Sequence, residues 1–189
     1  MAPYRYIPLS LNRDRTRLLR LMPHPDRTAD IQCELFEYAL ETQGGTHLYD
    51  ALSYVWGDPN SKPSIFIHGS RFEVTKNLYT ALLQLRNHSI ERILWVDAIC
   101  INQDDLSEKE HQIQFMAAIY GQANRTLVWL GEAANNSDLI FQEIRNIHGK
   151  MSTATIDKLS LQKAGLALLH RPWFRRIWVR YLIFCSSCG

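Results

Sequence analysis

The sequence predicts an α/β fold in which a mainly parallel central sheet is flanked by helices and preceded by an N-terminal antiparallel β-hairpin. Two observations carry this prediction. From Tyr49 onward, short apolar strand patterns alternate with amphipathic helix patterns, and that alternation is typical of parallel strands joined by helical crossovers. Before Tyr49, two strand patterns follow each other with only a turn-rich segment between them, which indicates an antiparallel pair. We therefore expect residues 1–48 to form a hairpin extension that packs on a domain formed by residues 49–189.

The composition is that of an ordinary globular protein and names no partner. The chain has 189 residues, an apolar share of 46% and a formal charge of +2, and it contains no repeat or low-complexity linker. This charge is too small to indicate general binding to nucleic acid. No apolar run is long enough to span a membrane, and the first residues lack the apolar core of a signal peptide. We expect a cytoplasmic protein with no nucleic-acid partner and no membrane span.

The first predicted elements are two hairpins and a helix. Residues 16–22 and 31–40 are strand patterns separated by PHPDRTAD, and residues 51–56 form a short strand closed by Gly57. Residues 65–68 and 71–74 read as a second hairpin across Gly69 and Ser70. Thr75 can cap the helix that follows. Its buried stripe, at helical spacing, consists of Leu78, Ala81, Leu82 and Leu85.

The remaining elements alternate. Residues 93–96 read as a buried strand, and S-x-x-E at residues 107–110 is a capping box for a helix. The predicted buried stripe of that helix consists of Ile113, Met116, Ala117 and Tyr120. Residues 126–130 form the next strand, residues 136–138 offer caps for another helix, and a last helix over residues 159–169 must end before Pro172.

Polar residues follow three of the predicted strands. Gly57 and Asp58 follow one, Asp97 follows the second, and Glu132 with its preceding glycine follows the third. In an open parallel sheet the carboxyl ends of the strands border the ligand crevice, so these side chains are expected at one edge. The alternative is structural, because Asp and Asn after a strand commonly hold turns through side-chain to backbone hydrogen bonds. For Asp97 and Asn102 both interpretations stay open.

Four segments in series resemble a known family. They are ALSYVWGDP (51–59), ILWVDAICINQDD (93–105), LVWLGE (127–132) and RPWFRRIWV (171–179). In this order and spacing they are similar to the heterokaryon incompatibility (HET) domain of filamentous fungi. The resemblance implies a role in fungal non-self recognition, as an effector of programmed cell death that signals through self-association or partner binding. It also implies a fold related to Toll/interleukin-1 receptor (TIR) domains, a flavodoxin-like arrangement.

The TIR relationship implies an enzymatic alternative. Some TIR domains hydrolyse NAD with a glutamate early in the helix after the third strand. Glu143, six residues after Ser137, resembles that position and is the catalytic candidate, although it also fits the solvated flank of a helix. Glu132 is a rival carboxylate. The substrate-binding candidates are Trp56, Gly57, Asp97 and Asn102, with the Trp56 indole stacking on a ring of the substrate. NAD is then a possible substrate, and no cofactor is firmly implied.

Other chemistries find little support in the sequence. The seven histidines lack metal-ligand spacing, and the pair Cys185 and Cys188 has no further ligands nearby, so no metal is expected. Cys100 lies in an apolar stretch, where a buried thiol is inert.

The arginines at residues 171, 175, 176 and 180 alternate with aromatic residues. We expect the tryptophans to cover the sheet, while the arginines lie over the surface or pair with acidic groups such as Asp97 or Glu132. After residue 179 the chain departs from the family pattern. A truncated or divergent end, and with it an inactive family member, is a further alternative.

Overall fold

The computed structural model of the chain describes residues 2–10, 14–40, 48–134, 137–149 and 158–175. The strands within these ranges are β1 (Arg15–Leu21), β2 (Gln32–Ala39), β3 (Asp50–Tyr54), β4 (Ser64–Ile67), β5 (Ser70–Glu73), β6 (Arg92–Trp95) and β7 (Arg125–Trp129). The helices are α1 (Lys76–Leu85), α2 (Asp97–Cys100), α3 (Leu106–Gln122), α4 (Ser137–Gly149) and α5 (Lys158–Leu169), and a 3₁₀ turn follows at Pro172–Arg175. The chain divides into two compact units, Met1–Trp129 and Leu130–Gly189.

The first unit contains a mixed seven-stranded sheet in the order β5-β4-β2-β1-β6-β3-β7. Among the described strands, β1 runs antiparallel to β2 and β6, and β4 runs antiparallel to β5. The other pairs, β2 with β4 and β3 with both β6 and β7, are parallel. The predicted α/β class with flanking helices is confirmed, but the prediction of a mainly parallel sheet was wrong. The cause is the N-terminal hairpin, because its strand β1 enters the middle of the sheet against the direction of β6.

The N-terminal hairpin forms as predicted. β1 and β2 pair in antiparallel register from Arg15 with Ala39 to Leu21 with Cys33. The turn-rich connection between them is held by the buried guanidinium of Arg86, which donates hydrogen bonds to the carbonyl oxygens of residues 26, 27, 29 and 30 at 2.8–3.1 Å. The predicted division of the chain at residue 48 stays a prediction.

The second hairpin and the first helix are both present, but the hairpin turn lies at His68 and Gly69, one residue before the predicted Gly69 and Ser70. The turn between β4 and β5 has positive φ angles at His68 (49°) and Gly69 (74°), as a two-residue turn between twisted strands requires. Thr75 caps α1 by accepting a hydrogen bond from the backbone N–H of Leu78 at 3.4 Å. The buried face of α1 consists of Leu78, Ala81 and Leu82.

Helix α3 differs from its prediction in both its start and its buried face. Its N-cap is Asp105, not Ser107, and the Asp105 carboxylate accepts from the backbone N–H of Glu108 at 3.0 Å. Ile113, predicted to be buried, is 41% exposed. The inward stripe at helical spacing is Glu108, Gln112, Phe115, Met116 and Ile119. An apolar pattern misses this face because two of its members are polar, with Gln112 donating to the carbonyl oxygen of Arg15 at 2.7 Å.

The second unit contains α4, α5 and the 3₁₀ turn. Helices α4 and α5 pack together where Ile140 lies over Gly165. A Cβ added at Gly165 would lie 3.7 Å from Cδ1 of Ile140, which is an ordinary contact distance. Helix α4 begins at Ser137, within the predicted cap residues, while Asn136 lies outside the described residues. Helix α5 ends at Leu169, before Pro172, as predicted.

Candidate functional site

Three neighbouring strands end at the same edge of the sheet. β3 lies between β6 and β7 and is parallel to both, so the residues that follow the three strands emerge together. We call this the carboxyl edge and define it by Trp56, Asn77, Asp97 and Trp129. Hydrogen bonds between these side chains, and to the backbone around them, link the ends of the three strands.

Asp97 accepts hydrogen bonds from the chain around it through both its carboxylate and its backbone oxygen. It is the first residue of α2, and its Oδ1 accepts from the backbone N–H of Ala98 at 2.8 Å. Its Oδ2 accepts from the indole Nε1 of Trp56 at 3.1 Å. Its backbone oxygen accepts from the side-chain amide of Gln103 at 2.9 Å. The carboxylate that follows the buried strand β6 thus accepts hydrogen bonds from an indole and from the first turn of a helix.

The turn after β3 presents an aromatic ring to solvent. Trp56 is 42% exposed although Asp97 fixes its indole nitrogen. The next residue, Gly57, has a φ of 81°, and a Cβ added there would lie 3.0 Å from the Cβ of Asn77. Asn77 donates to the carbonyl oxygen of Val55 and accepts from Nε1 of Trp129 at 2.9 Å. Sequence reasoning missed Asn77, which joins the ends of β3 and β7.

The polar residues after α2 form a turn that is tied to α3. The side chain of Asn102 accepts a hydrogen bond from the backbone N–H of Asp104 at 3.3 Å. The backbone N–H of Asn102 donates to Oε1 of Glu108 at 2.7 Å. Glu108 in turn forms a two-pronged ion pair with Arg17 of β1. The side chain of Asn102 thus has the turn-holding role that was one of the two predicted alternatives.

The opposite edge of the same three strands is held by charge. Asp50 begins β3 and is buried, while Arg92 begins β6 and Arg125 begins β7. The Asp50 carboxylate accepts from Arg92 at 3.2 Å, from Arg125 at 3.1 and 3.2 Å, and from the side-chain amide of Asn124 at 3.3 Å. Two guanidinium groups therefore neutralise one buried carboxylate. Nothing in the apolar patterns of these strands had indicated this cluster.

The two glutamates proposed as catalytic lie in the second unit. Glu132 is exposed and follows Gly131, whose φ of 93° marks a turn. Glu143 is half-buried on α4, and its Oε2 is shielded from solvent with no hydrogen-bond partner among the residues that the structure describes. The other four candidates, Trp56, Gly57, Asp97 and Asn102, lie in the first unit. The convergence of both sets at one crevice stays a prediction.

Arg171 organises the start of α4. Its guanidinium donates to the carbonyl oxygens of Leu130 at 2.9 Å and Ala134 at 3.2 Å, and to Oγ of the buried Ser137 at 3.1 Å. The serine of the predicted Ser-to-Glu spacing is therefore engaged in holding the loop before the helix. The predicted pairing of Arg175 with Asp97 or Glu132 stays a prediction, and Arg176 and Arg180 lie outside the described residues.

The thiols of the first unit are not suited to nucleophilic chemistry. Burial raises the pKa of Cys100 to about 12 and that of Cys33 to about 12. The sulfur of Cys100 accepts from the backbone N–H of Val96 at 3.3 Å. Because only the thiolate is a strong nucleophile, these two thiols are inert at neutral pH. Cys185 and Cys188 lie outside the described residues.

Metal ligation and membrane crossing are two further properties of the ranges that the structure describes. These ranges contain no group of three or more His, Cys, Asp and Glu side chains arranged to hold a metal ion. Among the helices of the same ranges, none combines the length and the apolar character needed to cross a membrane.

The fold and the carboxyl edge define an α/β domain in which side-chain hydrogen bonds link the strand ends and an indole faces solvent. Residues 49–180 match the family described as heterokaryon incompatibility protein (HET), and the chain belongs to this family. It is also similar to heterokaryon incompatibility protein 6, OR allele, of Neurospora crassa, with 34% identity over 157 residues. That similarity covers 76% of this chain but only 23% of the relative. No solved structure matches the chain, and the similarity to TIR domains stays a prediction.

Proposed function

We propose that this chain is the HET domain of a fungal incompatibility protein and that it acts in the cytoplasm as a signalling effector of cell death. In this proposal it works through self-association or through binding a protein partner after fusion of unlike cells. The family match over residues 49–180 carries the proposal. The Neurospora crassa relative, whose name denotes heterokaryon incompatibility, supports the same role.

The chemistry of the carboxyl edge favours binding over catalysis. Both carboxylate oxygens of Asp97 accept hydrogen bonds from the protein itself, and the thiol of Cys100 is fully buried. The exposed indole of Trp56 is the group on this edge most suited to a partner. Tryptophan is enriched among the residues that dominate binding energy, and an indole already fixed by Asp97 loses little conformational freedom on binding.

Inducible expression in a filamentous fungus tests the proposal. We expect the wild-type chain to kill hyphal compartments, scored with a vital dye. Trp56→Ala should reduce killing at least about tenfold, since loss of a central interface tryptophan costs roughly 2 kcal/mol or more. The matched control is Ile90→Ala, which removes another exposed apolar side chain, 66% exposed, just before β6 and so at the opposite edge. This control should kill like wild type.

Two results would count against the proposal. If the wild-type chain accumulates to confirmed levels and the hyphae grow normally, the chain is the inactive family member considered as an alternative. If Trp56→Ala and Ile90→Ala both kill like wild type, the domain signals through another surface and the role given to Trp56 is wrong.

A second candidate function is hydrolysis of NAD. The observation that favours it is the half-buried Glu143, whose shielded Oε2 has no partner among the described residues. A shielded polar atom that no protein group satisfies calls for an explanation, and a catalytic role is one such explanation. In this alternative NAD is the substrate, and the Glu143 carboxylate stabilises the positive charge that develops on the ribose as nicotinamide leaves.

Release of nicotinamide from NAD by the purified chain tests this second candidate. The alternative predicts release by wild type and by Gln142→Ala, which changes the exposed neighbouring residue on α4. Glu143→Ala should lower the rate by about a hundredfold or more, the usual range for loss of an electrostatic catalytic group. Equal rates in the two variants would remove Glu143 from the reaction. Absence of release by wild type would leave signalling by assembly as the function.

A further inference from the structure

We infer that Arg17, which lies outside the family-matched residues 49–180, is a positioning residue for the carboxyl edge. Together with Glu108 it holds residues 97–105, which comprise α2 and the turn after it. This segment contains Asp97, which accepts the hydrogen bond from the Trp56 indole. The effect of Arg17 on the orientation of Trp56 is independent of what the domain does. Its effect on killing rests on the proposed function.

Arg17 reaches three parts of the chain from the centre of the sheet. It lies on β1, between β2 and β6, and its side chain is only 5% exposed. Nη1 donates to the carbonyl oxygen of Cys100 at 3.2 Å, and Nη2 donates to that of Ile7 at 2.7 Å. Both nitrogens also bind the carboxylate of Glu108, which is 10% exposed. A fork of this kind fixes orientation as well as distance.

Glu108 connects Arg17 to the turn that follows α2. Its Oε1 accepts from the backbone N–H of Asn102 at 2.7 Å as well as from Arg17. The phenolic hydroxyl of Tyr6 adds a further bond, donating to the carbonyl oxygen of Ile99 at 2.9 Å. The Tyr6 ring lies under the Arg17 guanidinium, 5.0 Å from its central carbon. The backbone between Ile99 and Asn102 is thus held by side chains from outside the turn.

Such support matters because α2 is only four residues long. A single helical turn has no stability of its own in water, since its nucleation cost is not repaid by further hydrogen bonds. Its position therefore depends on the groups that grip it. Asp97 is its first residue and accepts from Trp56 at 3.1 Å. A displacement of α2 by about 1 Å would break that bond, because hydrogen bonds weaken steeply beyond their normal length.

The functional unit thus includes β1 as well as the matched region. The contacts of Arg17 span 83 positions to Cys100 and 91 positions to Glu108. The N-terminal segment supplies the groups that orient an edge formed by residues far along the chain.

The experiment uses the full chain with Arg17→Met, Glu108→Met and the double variant. Each single change leaves a buried charge without its partner and should destabilise the chain, whereas removing both charges together should restore much of the lost stability. If Arg17 and Glu108 only stabilise the fold, the double variant should therefore also regain the normal environment of Trp56. A positioning role predicts that it does not, because methionines cannot donate to the carbonyl oxygen of Cys100 or accept from the N–H of Asn102.

The readout is the indole Nε1–H resonance of Trp56 in a proton–nitrogen correlation spectrum, assigned with Trp56→Phe. We expect this resonance to shift in the double variant despite its restored stability, and killing to be lost with it. The matched control is Arg20→Met, since Arg20 also lies on β1 but pairs with Glu34 and Glu91 at exposed positions. Its Trp56 resonance should stay in place.

Tyr6→Phe keeps the inference testable if the double variant does not fold, because it removes only the bond to the Ile99 carbonyl oxygen and should shift the same resonance by a smaller amount. An unmoved Trp56 resonance in the folded double variant, or in Tyr6→Phe, overturns the inference. Normal growth with the wild-type chain would defeat the proposed function instead, while the resonance would still decide the role of Arg17.

Discussion

Trp56 and Asp97 lie just beyond the ends of two neighbouring parallel strands, and the indole of one donates a hydrogen bond of 3.1 Å to the carboxylate of the other. The strands they follow, β3 and β6, are five and four residues long. Strands this short share few ladder hydrogen bonds. Side-chain bonds at their ends therefore contribute a large share of what holds them in register.

The same three strands are tied at both edges by different chemistry. At the carboxyl edge the bonds are between an indole and a carboxylate and between Trp129 and Asn77. At the opposite edge they are ion pairs centred on Asp50. The carboxyl edge keeps an exposed aromatic surface, whereas the opposite edge offers charges that are already paired. A partner therefore has more to gain at the carboxyl edge.

The bond between Trp56 and Asp97 should be visible in a double-mutant cycle. We expect Asp97→Ala to lower the free energy of unfolding by about 1–2 kcal/mol, because it removes the acceptor of the indole and of the first turn of α2. Trp56→Phe should cost about 1 kcal/mol, and in the Asp97→Ala background it should cost less. Urea denaturation measures all four forms. Strictly additive losses would show that the two side chains do not stabilise each other.

Local sequence patterns predicted the local structure well. The hairpin of β1 and β2, the cap at Thr75 and the buried face of α1 all depend on residues close together in the chain, where period and capping chemistry are visible. The order of strands in the sheet is not visible in this way, so the insertion of β1 beside β6 was missed. Trp56 and Asp97 were both selected as site residues, but nothing in the sequence indicated that they bind each other.

The residues that sequence reasoning missed are buried polar ones. Arg17 lies in a predicted strand and Glu108 near the start of a predicted helix, and the sequence patterns single out neither residue. Only the fold shows that they form one ion pair 91 positions apart. Because that pair turns Glu108 inward, the buried face of α3 includes Gln112 and excludes Ile113. Glu132 and Glu143 stay predictions as site residues.

Asp50 should contribute strongly to stability. Asp50→Ala leaves Arg92 and Arg125 without their shared carboxylate, and we expect a loss of about 2–3 kcal/mol in the free energy of unfolding, moderated by the exposure of the two guanidinium groups. The matched control is Asp58→Ala, because Asp58 is exposed and its carboxylate accepts from the backbone N–H and the side-chain amide of Asn60, two residues along the chain. That change should cost about 0.5 kcal/mol or less. Equal losses in urea denaturation would contradict the role given to Asp50.

Stability should fall at alkaline pH because of the buried thiols. Burial raises the pKa of Cys33 and of Cys100 from 9.0 to about 12. Between pH 9 and pH 12 the unfolded chain has lost thiol protons that the folded chain retains. The contribution of the two protonated thiols to stability is therefore fully present below pH 9 and declines as the pH rises above it. In the double variant Cys33→Ala, Cys100→Ala this decline should be smaller. For the variant and for wild type, the denaturant midpoint at alkaline pH is compared with the same protein's midpoint at pH 7. Alkylation with iodoacetamide at pH 8, followed by peptide mass spectrometry, should leave both cysteines unmodified in the folded chain.

A side chain at Gly57 should destabilise the chain more than one at Gly69, which provides the matched control. Both have positive φ angles, 81° and 74°, so alanine at either position pays the same backbone strain of roughly 1 kcal/mol. A Cβ at Gly69 meets nothing within 4 Å, whereas one at Gly57 would lie 3.0 Å from the Cβ of Asn77. That contact would push Asn77 away from Val55 and Trp129, so Gly57→Ala should cost about 1–3 kcal/mol more than Gly69→Ala. Thermal unfolding of the two variants measures the difference, and equal melting temperatures would mean that the strand ends at the carboxyl edge shift freely to admit the methyl group.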